Sequence, residues 1–360
     1  YLAPSRTLLY APTRGCYWGK CSFCYYGLAE TATASYREVP PEKAAEQLAD
    51  LQRQYGVDHF YLSCDVLSPS YAVRLAGALL DRGVRITWSS DLKIERFFTP
   101  ERCQRLFEAG LRAAAFGIES GSDRILGLIR KGTDRATMTT VNRAFHDAGV
   151  ATEWMTFTDH PTESVAEALE TVAWIAEEAP QVDLFIVGQF GLERGSDIAK
   201  SPEAYGVQSI HYAAGDDLRL YALFTQVGPP RSPDEVARVD SAVNALSSRY
   251  ALHPYPWAGA NSTHHTLLHL LRFGQRAFRS HFQAVKDLAA ALPRAPRTEI
   301  PGLRGRLLPA PSALAEAERT FLDQYLERAL YTTLQSQGNA LAPLSWSDYN
   351  AAVSTLASAP

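Results

Sequence analysis

Cys16, Cys21 and Cys24 fall in one short run, Arg14-Gly15-Cys16-Tyr17-Trp18-Gly19-Lys20-Cys21-Ser22-Phe23-Cys24, in a chain of 360 residues with only five cysteines. Thiolates this close in sequence serve a shared partner. Cysteine sulfur is the ligand that holds iron–sulfur clusters. A four-iron cluster has four corners, so three thiolates leave one iron open to a small molecule. Structural zinc asks for four ligands, usually from two paired knuckles. No second cysteine pair exists, and the first histidine in the chain is His59. A disulfide framework needs an even cysteine set in a loop-rich secreted chain. The odd count, the 46% hydrophobic content and the lack of a signal peptide argue against that. The cluster is the leading reading, ahead of zinc or bystander thiols.

The elements around the loop alternate strand and helix, as parallel βα units do. Thr7 to Ala11 reads as a strand leading into the cysteines. A helix follows from Pro41 to Tyr55, then a strand over Asp58–Ser63 and a helix from Pro69 capped by Ser68. Arg85–Ser89 is the third strand, Thr99-Pro100-Glu101 opens a helix ending near Gly110, and Ala113–Ile118 is the fourth strand. Asp134 caps a helix with Met138, Val141 and Phe145 on one face. Thr152–Phe157 and Val182–Val187 give the fifth and sixth strands, with Val165, Leu169 and Val172 marking the helix between them. In barrels of parallel strands the reactive residues sit at the C-terminal strand ends. From about Pro229 helical patterns dominate, interrupted at Pro254–Pro256, Pro293–Pro309 and Pro343. The expected organisation is a core over 1–228 and a helical region over 229–360.

The strand, the cysteine loop and the final C-x-aromatic-C with Phe23 resemble the radical S-adenosylmethionine (SAM) superfamily. The usual spacing there is C-x3-C-x2-C; here it is C-x4-C-x2-C. The wording Gly-Cys-Tyr-Trp-Gly-Lys-Cys-Ser-Phe-Cys is most similar to the cobalamin-associated class. A second match is Gly117-Ile118-Glu119-Ser120-Gly121-Ser122 with the later Lys131-Gly132. The resemblance implies a partial (β/α)6 TIM-like barrel and a [4Fe-4S] cluster on Cys16, Cys21 and Cys24. It implies SAM bound with help from Phe23, Asp65, Ser89, Lys93, Glu119 and Ser120. Asp65 would accept the SAM amino group, although an Asp at a strand end also starts turns. Ser89 and Lys93 would meet the carboxylate or ribose, although Lys93 also fits a surface loop. Glu119 would bind ribose hydroxyls, as a carboxylate does in dinucleotide sites. The glycines around it would let backbone approach the ligand. Cys64 reads as a small buried hydrophobe.

After the fifth strand stands Thr158-Asp159-His160-Pro161-Thr162-Glu163, where the family commonly has Gly and an aromatic at the second and third positions. Asp159 and His160 are candidate catalytic residues, an acid and an imidazole able to relay a proton. The plainer reading gives Asp159 to loop backbone and His160 to the aromatic's packing. His265 and His269 share a helix face, and ordinary polar positions are the better account of them. Tyr255–Asn261 reads as an aromatic packing loop.

The net charge of −4 shows no electrostatic footprint for nucleic acid. No apolar run is long enough to cross a membrane. Unpaired thiols and an oxygen-sensitive cluster point to the cytoplasm. The chain starts at Tyr1, and an N-terminal cobalamin-binding domain is expected to be absent from it. The resemblance implies reductive cleavage of SAM to a 5′-deoxyadenosyl radical, with cobalamin a further cofactor it admits. A cobalamin-dependent C-methyltransferase acting on a peptide or natural-product intermediate leads. A non-methylating radical enzyme and a cluster-bearing redox sensor without SAM chemistry are the alternatives. The expected partners are that substrate and an electron donor such as flavodoxin or ferredoxin.

Overall fold

The computed structural model describes residues 7–25, 36–212, 219–250, 264–268, 271, 298–299 and 307–308. A parallel sheet carries the design. Its strands are β1 (Thr7–Tyr10), β4 (His59–Leu67), β5 (Thr87–Leu92), β6 (Leu111–Glu119), β7 (Ala151–Thr158) and β8 (Leu184–Gln189), hydrogen-bonded in that order. The short strands β2 (Thr13–Arg14) and β3 (Arg37–Glu38) pair antiparallel beside the cysteine loop. Between the parallel strands run α1 (Pro41–Tyr55), α2 (Pro69–Asp81), α3 (Pro100–Glu108), α4 (Asp123–Leu128), α5 (Arg135–Asp147) and α6 (Val165–Glu178).

The helix starts are set by local chemistry. Ser68, Thr99, Ser122, Asp134 and Ser164 each accept a backbone N–H from the first turn of the helix that follows. Proline opens α1, α2 and α3, where its missing N–H costs nothing. Phe60, Leu62, Trp88, Phe116 and Trp154 are fully buried. The Trp154 ring lies 4.5 Å from Trp174 of α6, and its Nε1–H donates to Asn142 of α5 at 2.9 Å. Burying each such side chain contributes about 1.5–3 kcal/mol.

Successive strand residues point to opposite faces, and here the residues alternating with that apolar set are polar. Tyr61 donates to Asp91 at 2.5 Å, and His59 lies 2.8 Å from Thr87 and 3.3 Å from Ser89. Glu153 is completely buried with neither carboxyl oxygen hydrogen-bonded. Burial, and then the charge of Asp91, raise its pKa well above the carboxylate range.

Two features depart from the sequence reading. The third strand runs to Leu92, so Ser89 sits mid-strand. Past β8, a second, antiparallel sheet forms from β9 (Leu192–Glu193), β10 (Val207–His211) and β11 (Tyr221–Gln226), with α7 (Asp197–Lys200) between β9 and β10. α8 (Pro233–Tyr250) follows. The chain divides into one compact unit over Pro4–Leu246 and another comprising Tyr1–Ala3 and Ser247–Pro360. In the second unit β12 (Thr298–Glu299) pairs antiparallel with β13 (Leu307–Leu308), inside the interruption of the helical pattern expected over Pro293–Pro309. His264 and His265 are buried on helical residues 264–268. His269 and the stretch 255–261 lie outside the described residues. No helix among the described residues is long and apolar enough to cross a membrane.

Candidate active site

The cysteine loop follows β1 and is anchored at several points. The Ser22 N–H donates to Ile129 O at 3.0 Å, its hydroxyl donates to Leu128 O at 3.0 Å, and its carbonyl accepts the Ile198 N–H at 3.0 Å. Asp65, past the middle of β4, accepts the Gly15 N–H at 2.8 Å. Its expected role toward an amino group is thus shared with holding the loop. Trp18 donates to Arg130 O at 3.1 Å, and its ring packs so closely on Gly132 that a Cβ there would lie 2.1 Å from Cζ2. The ring also meets Lys93 Nζ, 4.2 Å from its centroid. Phe23 sets its ring edge against Phe157 of β7, centroids 5.4 Å apart.

Cys16, Cys21 and Cys24 form no disulfide and are half-buried. The Gly19 N–H donates to Cys16 Sγ at 3.5 Å. Burial pushes the Cys21 thiol up, and the Lys131 ammonium opposes this. Among the described residues no group of three or more His, Cys, Asp or Glu side chains converges on one ion position. A four-iron cluster places each thiolate on its own iron, so its ligands need no common point. Cys64 and Cys103 are pushed up to about 11 and about 12 by burial, as inert structural thiols are.

Glu119, at the end of β6, forms an ion pair with Lys131 at 2.7 Å, and both are largely buried. Burial opposes the Lys131 charge, but Glu119 and then Cys21 outweigh it and hold the ammonium above the usual lysine range. A Cβ at Gly117 would lie 2.6 Å from Glu119 Oε1, so that glycine makes room for the pair. Lys93 donates to Glu95 at 3.0 Å, and Glu95 also accepts from Tyr17 at 2.7 Å. Sequence reasoning missed Glu95, and it met Lys131 only inside the Lys-Gly pair.

Two expected ligand-facing serines are placed otherwise. Ser89 is fully buried against His59. Ser120 is fully buried, accepts the Ser122 N–H at 3.1 Å and lies 3.4 Å from the Thr171 hydroxyl. Its hydroxyl shapes the turn into α4 and the contact with α6. Gly121 likewise serves α6, since a Cβ there would meet Thr171 Cα at 2.7 Å.

A second constellation lies at the end of β7. Asp159 has φ +71°, a left-handed conformation in which glycine is at ease. Its N–H donates to Glu163 at 2.7 Å, and its carboxylate pairs with Arg231, which precedes α8. Arg231 also pairs with Glu163 at 2.9 Å. The partner of Asp159 is therefore Arg231, in place of the adjacent imidazole. His160 is 1% exposed and packs edge-on to Phe190, ring centroids 5.2 Å apart. Burial, then the nearby Arg124, lowers its pKa to about 4. The ring stays neutral through the physiological range, which corrects the idea of a relay titrating near pH 7. These residues border a cavity of about 740 Å³ between the strand ends, β11 and α8.

The model of the radical SAM superfamily matches residues 10–175. An uncharacterized methyltransferase of Pyrococcus horikoshii is 29% identical over 122 residues, covering 33% of this chain and 26% of that protein. The cobalamin-dependent SAM radical enzyme OxsB, solved with aqua-cobalamin and SAM bound, superposes with a TM-score of 0.53 at 14% identity, over 79% of this chain and 47% of that one. The radical SAM methyltransferase TsrM from Kitasatospora setae, with cobalamin and a [4Fe-4S] cluster bound, gives 0.54 at 16% identity, over 76% and 61%. The chain spans less than two thirds of the length of each of these proteins.

Proposed function

We propose that this chain, whose residues 10–175 match the model of the radical SAM superfamily, cleaves SAM reductively with a [4Fe-4S] cluster held by Cys16, Cys21 and Cys24. The observation that carries the proposal is the placement of three cysteines, none in a disulfide, on a single loop beside the buried Glu119–Lys131 pair. When bound, the cluster supplies one electron that breaks a carbon–sulfur bond of SAM and yields methionine and a 5′-deoxyadenosyl radical. The chain's own part is to seat and orient. Ser22 and Asp65 fix the loop, Lys131 and Lys93 place positive charge near Cys21, and Glu119 and Asp65 offer acceptors to the polar groups of SAM. Phe23 and Phe157 supply an apolar wall.

The proposed outcome is methyl transfer to an unreactive carbon of a peptide or small natural product, with cobalamin as the methyl carrier and a one-electron donor protein as partner. Support comes from the methyltransferase name of the Pyrococcus relative and from the cobalamin held by both structural neighbours.

Anaerobic reconstitution is expected to give about four irons per chain, and reductant with SAM is expected to release methionine and 5′-deoxyadenosine. Cys16→Ala, Cys21→Ala and Cys24→Ala each abolish both readouts, whereas Cys64→Ala and Cys103→Ala keep them. Stoichiometric zinc in place of iron, or a cluster that never cleaves SAM, would refute the reading. Label from the SAM methyl group appearing in product separates methyl transfer from a non-methylating reaction.

A further inference from the structure

The cavity at the ends of β7 and β8 has a definite chemical bias. Three carboxylates line it, Asp159, Glu163 and Asp240, against the single guanidinium of Arg231. Arg231 is already bracketed by Asp159 and Glu163. His160 adds no charge. One buried carboxyl oxygen of the wall, Glu163 Oε1, has no hydrogen-bond partner. Such atoms are costly unless a ligand or water completes them. An ionised carboxylate oxygen can only accept, so its partner must be a donor. Asp240 stands exposed on α8 at the cavity rim. The rest of the wall includes Val187, Phe224, Val239 and Val243, an apolar surface for a ligand body.

We propose that this cavity binds the protonated amino group of an amine with an apolar body, which is the substrate class of the enzyme. The ammonium lies among Asp159, Glu163 and Asp240, and the body lies against the valines and Phe224. The word substrate rests on the activity proposed above; the binding does not, since no turnover is needed to measure it. Arg231 lies between the two β7-end carboxylates as their shared counter-charge. A free carboxylate ligand meets a guanidinium that is already neutralised, together with net negative charge.

The test is calorimetric titration of the reconstituted full chain with 2-phenylethylamine and with 3-phenylpropionate. The amine is expected to bind at least about tenfold more tightly, the discrimination that a charge-complementary wall gives. Asp240→Asn, a surface change on α8, is expected to weaken the amine severalfold and leave the circular dichroism unaltered. The double variant Asp159→Asn/Glu163→Gln frees Arg231 and is expected to invert the preference towards the carboxylate. Equal binding of the two probes, tighter binding of 3-phenylpropionate to the wild type, or no binding of either up to about 10 mM would overturn the proposal. Selective amine binding by a chain that fails to cleave SAM would leave this inference standing and remove the proposed activity. SAM cleavage without amine selectivity would do the reverse.

Discussion

Glu119 and Asp159 share an unusual backbone. Their φ angles are +69° and +71°, and each ends a neighbouring strand of the parallel sheet. A non-glycine residue held there costs about 1–3 kcal/mol and persists where its surroundings insist on it. Both side chains are tied by an ion pair, Glu119 to Lys131 and Asp159 to Arg231. The strain thus aims two carboxylates from adjacent strand ends. At Asp159 it also explains why glycine is common in the related pattern. Truncating Glu119 to alanine would strand a buried Lys131, so the informative change is Glu119→Gln. Equilibrium binding of SAM to Glu119→Gln is expected to weaken by about 1–3 kcal/mol with iron content unchanged; unaltered affinity would reassign Glu119 to holding Lys131. His160 makes a stability prediction. Its folded pKa is about 4 against roughly 6.5 in the unfolded chain. Below pH 6.5 the unfolded state therefore binds the extra proton, and stability drains away as pH falls from 6.5 to 4. The linked loss is about 3 kcal/mol. His160→Phe keeps the edge contact with Phe190 and cannot titrate. Urea denaturation across that window is expected to fall less steeply for the variant, and identical slopes would show that the ring titrates normally.

Helix α6 has the most fully specified start. Ser164 and Glu167 form a reciprocal capping box, and Glu167 also accepts from Ser122 at 2.8 Å and from Arg124 at 2.7 Å. These contacts, Arg124 foremost, hold the Glu167 carboxyl well below its ordinary range. One helix terminus thereby locks the turn after β6 to the turn after β7. Ser164→Ala is expected to lower stability by about 1 kcal/mol, read as a shift in the urea midpoint without change in slope. A neutral result would mean that Glu167 alone maintains the start. The caps Ser68 and Asp134 were legible in the sequence, because caps and prolines act on neighbouring residues, whereas Ser164 was passed over for Glu163. Strand limits were less so. β5 continues as Ser90-Asp91-Leu92, a mixed polar run whose pairing is fixed by β4 and β6 and by nothing local. The β9–β11 sheet was missed for a similar reason. β11 pairs with β9 across a long segment, and its exposed Tyr221 and Leu223 blur the alternation that would signal a half-buried strand.

At the scale of the molecule, the cysteine loop and the six-strand core were readable because their signals are consecutive or periodic. The partners that complete the site were not. Arg231 reaches Asp159 across 72 residues, and Trp18 reaches Arg130 across 112. No local pattern marks such a meeting; only the tertiary fold produces it. That topology has a consequence for synthesis. The parallel strands lie side by side in the order in which they are made. Each unit emerging from the ribosome finds its docking edge already present, and none must be inserted between strands laid down earlier. Only β1, with the cysteines behind it, waits as a lone strand until β4 arrives to pair with it. The cysteine loop is therefore translated ahead of the elements that enclose it. It gains its Ile129, Arg130 and Ile198 anchors only after more than half of the described sheet unit exists. During that interval the three thiols stand open to the components of the proposed cluster.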